Sequence, residues 1–259
     1  MIMYKLKSKL PNKVLAELVR LKFEIKLRLD IPIFVYQMGK VGSTSVHNSL
    51  LKYYRGKVFH AHDFSLNHRE NQIGRLYNWA VIRKKPIYII SLTREPISRN
   101  ISAFFQDYEK YTGTPFNDSK LNIPELRNIF FNKFNHNQPL DWFDNNIFYH
   151  FGIDVYETKF QEENSFIIKK DNVKLLVLRS ETKDDKKELY IKEFLGLKKF
   201  IISNKNISED KIYSNMYYKF LNQIKFPEDY LKRMIDSKYF KHFYGREFQE
   251  QAVLRWEEK

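Results

Sequence analysis

The sequence predicts an α/β protein: a three-layer sandwich with a central parallel sheet flanked by helices, followed by a helical C-terminal region. Three observations carry this expectation. Short apolar runs of buried-strand type recur at near-equal spacing, as IPIFVY (31–36), KVFHAH (57–62) and PIYIISL (86–92). Between them, apolar residues return every third or fourth position, as on one face of a helix. Glycine or proline stands near the changeovers. Strands alternating with helices in this way form parallel sheets with right-handed crossovers, and such sheets bind ligands beyond the carboxyl ends of their strands.

The readable pattern begins with NKVLAELVRLKFEIKLRL (12–29). Val14, Leu18, Leu21 and Ile25 have helical spacing, whereas from Leu21 to Ile31 the apolar residues alternate as in a strand. We read residues 1–30 as a basic helical extension. Such a helix either lies on an acidic membrane or packs its stripe on the core of its own domain, and the second is the expected outcome. Residues 31–259 read as one domain. After the first strand, 43–54 is a helix with Val46, Leu50 and Leu51 on one face; 69–84 is a second, with Ile73, Leu76, Tyr77, Ala80 and Val81 inward. Pro96 opens a third at the first-turn position, where its missing N–H costs nothing, and that helix runs through Ile101 and Phe105. Residues 111–163, rich in Asn, Asp, Pro and aromatics, read as a loop-rich insertion with short helical pieces at 123–134 and 140–151, forming one wall of a cleft. SFIIKK and NVKLLVLRSE flank Asp171-Asn172 as two strands joined by a turn. Residues 184–259 are mostly helical, with helices at 184–195, 210–224 and from Pro227 onward, broken near Gly245.

Composition bounds the function. With 259 residues, 43% of them hydrophobic, and 22 Phe and 17 Tyr, the chain has ample material for a packed core. No stretch reaches the roughly 18 apolar residues of a spanning helix, and residues 1–30 lack the apolar core and cleavage site of a signal peptide. The expected location is cytoplasmic, at the inner membrane surface if the basic N-terminus makes peripheral contact. There is no cysteine, so disulfides and thiolate metal sites are excluded. The formal charge of +14 favours anionic partners without choosing among nucleotides, acidic glycans, acidic lipid and nucleic acid.

The chemistry concentrates in QMGKVGST (37–44), directly after the first strand. The chain has 8 glycines, and two of them sit on this turn. A strand, a glycine turn and a helix opening in Ser-Thr-Ser make an anion site, because free backbone N–H groups and the positive end of the helix dipole point outward. Gly39 and Gly42 permit close approach, Lys40 adds a point charge, and Ser43, Thr44 and Ser45 offer hydroxyl donors. The plan is P-loop-like but not that of a Walker loop, G-x-x-x-x-G-K-[ST], where the lysine follows the last glycine; the spacing disfavours an ATPase or GTPase.

Lys40-Val41-Gly42-Ser43-Thr44 resembles the K-x-G-[ST]-T 5′-phosphosulfate loop of sulfotransferases that use 3′-phosphoadenylyl sulfate (PAPS). Their second signature is an arginine ending the third core strand and a serine eight residues later; SLTREPISRNISAF supplies Arg94 and Ser102. Arg99 either joins them or faces solvent. A third match is the His-x-His of heparan sulfate 2-O-sulfotransferases after the second strand, here VFHAHDF with His60 and His62. DWFDNNIFYHFGIDVYETKF and FYGREFQEQAVLRWEE are similar to the branch of capsular polysaccharide synthesis proteins. The resemblance, strongest over residues 31–108, implies PAPS as co-substrate and no metal. Lys40, Gly42, Ser43, Thr44 and Ser45 would hold the 5′-phosphate side, and Arg94 and Ser102 the 3′-phosphate. His62 or His60 would be the base, with Lys40 on the bridging oxygen and a carbohydrate, acidic or surface glycan, as acceptor. Imidazole titrates near pH 6.5, which suits a base acting at neutral pH.

Two other readings stay open. A nucleotide-dependent kinase with an atypical phosphate loop needs Mg²⁺ carboxylates after a core strand, and the candidates are Asp63 and Glu181. A polyanion or nucleic-acid binding module would use the charge and the aromatics, but no RNA-binding signature is present and nucleic acid is not the expected partner. Oligomeric state is not legible.

Overall fold

Four consecutive buried residues make β1 (Ile33–Tyr36) a strand covered on both faces, as the centre of a parallel sheet requires. The computed structural model describes residues 12–64, 72–160, 165–203 and 212–257. In it β1 pairs in parallel with β2 (Val58–Ala61) on one side and with β3 (Ile87–Thr93) on the other. β5 (Val173–Arg179) extends the sheet parallel to β3, and β4 (Ser165–Lys170) closes the edge antiparallel to β5. The order is β2-β1-β3-β5-β4. The sheet is therefore mostly rather than wholly parallel: a two-residue turn, with Asp171 at φ 49°, is too short for a crossover and forces a hairpin. Because the chain moves to opposite sides of β1, the crevice beyond the ends of β1 and β3 is the switch point of the sheet.

Helices α1 (Asn12–Leu29), α2 (Ser43–Tyr53), α3 (Gln72–Tyr77) and α4 (Pro96–Gln106) lie where the sequence pattern put them, α3 continuing through a π-helical turn, Asn78–Ile82. Of the helices expected over 69–84 and 210–224, residues 69–71 and 210–211 lie outside the described residues, as does 1–11 of the N-terminal extension. The stripe assignment in α1 is corrected. Phe23 and Leu27 pack on the core, while Val14, Leu18, Leu21 and Ile25 are exposed. The strand-like alternation from Leu21 onward reflects two opposite apolar faces on one helix, since alternate residues stand about 200° apart.

The stretch 111–163 is more helical than expected. After α5 (Tyr108–Thr112) come α6 (Ile123–Lys133) and α7 (Gln138–Phe143), which runs through a π-helical turn into α8 (Tyr149–Phe151). Its Asn and Pro residues start helices instead of breaking them. Asn122 and Glu125 form a reciprocal capping box, and both α6 and α7 have proline in the first turn. The C-terminal region holds α9 (Asp184–Leu195), α10 (Ser214–Gln223), α11 (Glu228–Ile235), α12 (Lys238–Phe243) and α13 (Arg246–Trp256). Besides the expected break near Gly245, a second falls at Ser237, which caps α12 by accepting from Phe240 N at 3.1 Å. Phe104, Phe130 and Phe220, from α4, α6 and α10, meet at 5.3 to 6.2 Å and join the sheet's helices to the following region.

Candidate functional site

The turn after β1 is held in a conformation its sequence does not favour. Lys40 has φ 72°, a left-handed value uncommon outside glycine, and Gly42 has φ 77°. Two guanidinium groups fasten it: Arg94 Nη1 donates to Lys40 O and Arg99 Nε to Gly39 O, each at 2.9 Å. Gly42 is the N-cap of α2 and supplies no side-chain cap. Its left-handed conformation followed by right-handed Ser43 aims successive N–H groups at one point, and the first-turn N–H groups of an α-helix find no acceptor within the helix itself.

These elements border a cleft of about 700 Å³. Lys40, Gly42, Ser43, Thr44, Ser45, His62, Arg94 and Ser102 all line it, together with Arg99. Facing them are residues of α4 to α7, among them Lys110, Tyr111, Phe134 and Gln138. The lining carries four cations, Lys40, Arg94, Arg99 and Lys110, against one carboxylate, Asp107. Arg99 does not face solvent. It is 2% exposed, and besides Gly39 O it donates to Asn100 Oδ1 at 3.2 Å and Gln138 Oε1 at 2.5 Å, all neutral acceptors. Burial, with the Arg94 charge adding, lowers its pKa to about 10, so it stays cationic at neutral pH.

The two histidines have different surroundings. His60 does not line the cleft: its Nε2 lies 2.9 Å from Ser43 Oγ and 3.1 Å from Gln37 Nε2, and its ring stacks on His47 at 5.1 Å. Burial first, then the neighbouring His62 and His47, pushes its pKa down to about 4. It is a neutral ring fastening the start of α2, and the Ser43 hydroxyl is shared with it. His62 is exposed just past β2, with Nδ1 donating to Gln37 O at 2.9 Å. In the neutral ring that bond leaves the lone pair on Nε2. A methyl group on Gly39 would stand 3.7 Å from His62 Nε2 and 3.9 Å from Arg99 Nη2; the glycine keeps the floor between them open.

Four groups distant in sequence support these residues. Trp142 Nε1 donates to His62 O at 2.9 Å, and the Tyr239 hydroxyl accepts from Arg94 N at 3.0 Å while donating to Arg94 O at 2.9 Å. Gln138 holds Arg99, and Asn146 accepts from the hydroxyl of Tyr36, the last residue of β1, at 2.7 Å. No spacing signal in the sequence marks Gln138, Trp142 or Tyr239. All four fall within residues 117–245, which match the model of a family described as "Putative capsular polysaccharide synthesis protein". That segment is similar to capsular polysaccharide synthesis proteins. The match begins after the turn, His62, Arg94 and Ser102, and so covers their supports. No curated protein and no solved structure matches the chain.

The carboxylates sought for a kinase lie elsewhere. Glu181 accepts from Glu95 N at 2.8 Å and from the Tyr244 hydroxyl at 3.3 Å, and lines a separate recess beside α13 on the other side of Arg94. Asp63 does not line the cleft either. Among the described residues no group of three or more His, Asp or Glu side chains is placed to hold a metal ion, and no helix is long and apolar enough to cross a membrane.

Proposed function

We propose that the chain is a sulfotransferase of capsular or surface polysaccharide synthesis, moving the sulfuryl group of PAPS to a hydroxyl of a carbohydrate acceptor. The observation that carries this reading is the convergence on one cleft of the α2 N-terminus, Lys40, Arg94 and Ser102, with His62 Nε2 beside the same turn. Lys40 and the N–H groups at the start of α2 bind the 5′-phosphate; Arg94 and Ser102, on the turn and helix after β3, bind the 3′-phosphate. His62 Nε2 takes the proton of the acceptor hydroxyl as its oxygen bonds to sulfur and the bond from sulfur to the bridging phosphate oxygen breaks. Lys40 meets the negative charge left on that oxygen. The site's contribution is position and fixed charge, as in phosphoryl transfer. The similarity over residues 117–245 supports the polysaccharide as acceptor class. Incubating the protein with PAPS carrying radiolabelled sulfur and with capsular oligosaccharides should yield labelled saccharide and an equal amount of 3′-phosphoadenosine 5′-phosphate. Label released as free sulfate with every saccharide, or transfer of phosphate from ATP instead, would overturn the reading.

A further inference from the structure

Helix α1 has two apolar faces, and the domain covers one of them. Phe23 (8% exposed) and Leu27 (2%) turn inward, Phe23 meeting Phe59 of β2 at 6.0 Å. At about 100° per residue, Val14, Leu18, Leu21, Ile25 and Leu29 fall within an arc of roughly 80° on the opposite side. Their exposures run from 43% at Val14 to 75% at Leu29. Five aligned side chains over some 22 Å of helix form a continuous stripe, unlike the scattered apolar residues of an ordinary surface.

The charges beside the stripe are mostly positive, with the exposed Glu17 among them. Lys22 and Lys26 are exposed along one flank. On the other, Glu24 is bound by Arg83 at 3.3 Å and Arg28 at 4.0 Å, which cancels its charge. Arg28, Arg83 and Lys85 border a shallow groove with Leu27 and Leu29 at the end of the helix, and Ile82, next to Arg83, is 62% exposed.

We propose that this face of α1 docks on an anionic lipid bilayer, the helix lying in the interface with its stripe at the acyl boundary and its cations among the headgroups. Charge selects this occupant: a second copy of a chain of net charge +14 would bring like charges together, whereas acidic headgroups neutralise them. The surface is independent of the chemistry assigned to the cleft.

Co-sedimentation tests it, with vesicles of phosphatidylcholine alone or mixed with phosphatidylglycerol, at low and high salt. The full chain should bind the mixed vesicles at least about tenfold more tightly than the neutral ones, and less tightly in high salt. The pairs Leu21→Ser with Ile25→Ser, and Lys22→Gln with Lys26→Gln, should each weaken binding by about tenfold while keeping the wild-type circular dichroism and urea midpoint, because the altered side chains are exposed. No binding to the mixed vesicles would overturn the proposal, as would binding indifferent to the serine pair. A concentration-dependent dimer that the serine pair dissolves would assign the stripe to a second copy and overturn it as well.

Discussion

The two walls of the cleft are built on different principles. The wall formed by residues 37–45, 62 and 94–102 presents its groups from strand ends and helix starts, where backbone donors and short spacings fix chemistry locally. The other wall joins residues 103–111 to Phe134, Asn135 and Gln138, and the scaffold behind both walls, from residues 117–245, acts at long range. Tyr239 holds the backbone of Arg94 across 145 positions, Trp142 holds His62 across 80, and Gln138 holds Arg99 across 39. The first wall bears the proposed chemistry, and the scaffold sets its geometry. The family match falls on that scaffold, so the two lines of inference about function rest on separate parts of the chain.

Substitutions sharpen the contrast. His62→Asn should lower the rate of sulfuryl transfer by about 10²- to 10⁴-fold, with little change in nucleotide affinity. Lys40→Ala should lower turnover by about 10²- to 10³-fold, far more than it weakens binding of 3′-phosphoadenosine 5′-phosphate; equal losses in the two measurements would remove its role at the bridging oxygen. Ser102→Ala should weaken that bisphosphate by about tenfold or more in calorimetry while leaving adenosine 5′-monophosphate unaffected. In the supporting scaffold the effects are smaller. Trp142→Phe keeps an aromatic ring but removes the donor to His62 O, so turnover should fall about fivefold with the Michaelis constant unchanged. A Trp142→Phe enzyme of full activity would show that the scaffold does not position the base.

The smallest effect concerns stability. His60 and His136 are both held at about 4, below the ordinary 6.5, chiefly by burial. The unfolded chain therefore takes up protons first as pH falls, and the stability these neutral rings contribute is complete above 6.5 and lost progressively toward 4. Urea midpoints should fall through that window, and His60→Asn should flatten the slope. A slope unchanged by His60→Asn would place the pH sensitivity elsewhere.

The first wall was legible because its signals are local. Gly42, Lys40 and Arg94 stand at fixed offsets from apolar strands, and those offsets put them in one crevice once the sheet is parallel. The alternation of β1 to β3 with helices was legible for the same reason. The scaffold was not: hydrogen bonds from Gln138, Trp142 and Tyr239 depend on how α7 and α12 pack, which no short window encodes. Residues 111–163 read as loop-rich because Asn and Pro commonly break helices, whereas here Asn122 and Pro139 serve helix starts. In α1 the apolar spacing was plain, but a helix with two apolar faces does not declare which one its domain will cover.

In the proposed reaction the cleft clamps a nucleotide carrying phosphate at both ribose positions. Titrating the metal-free protein with 3′-phosphoadenosine 5′-phosphate and with adenosine 5′-monophosphate tests it directly. The bisphosphate should bind about 100-fold more tightly, from the added charge-assisted bonds of Arg94 and Ser102. Equal affinities, or no binding of either nucleotide, would contradict it.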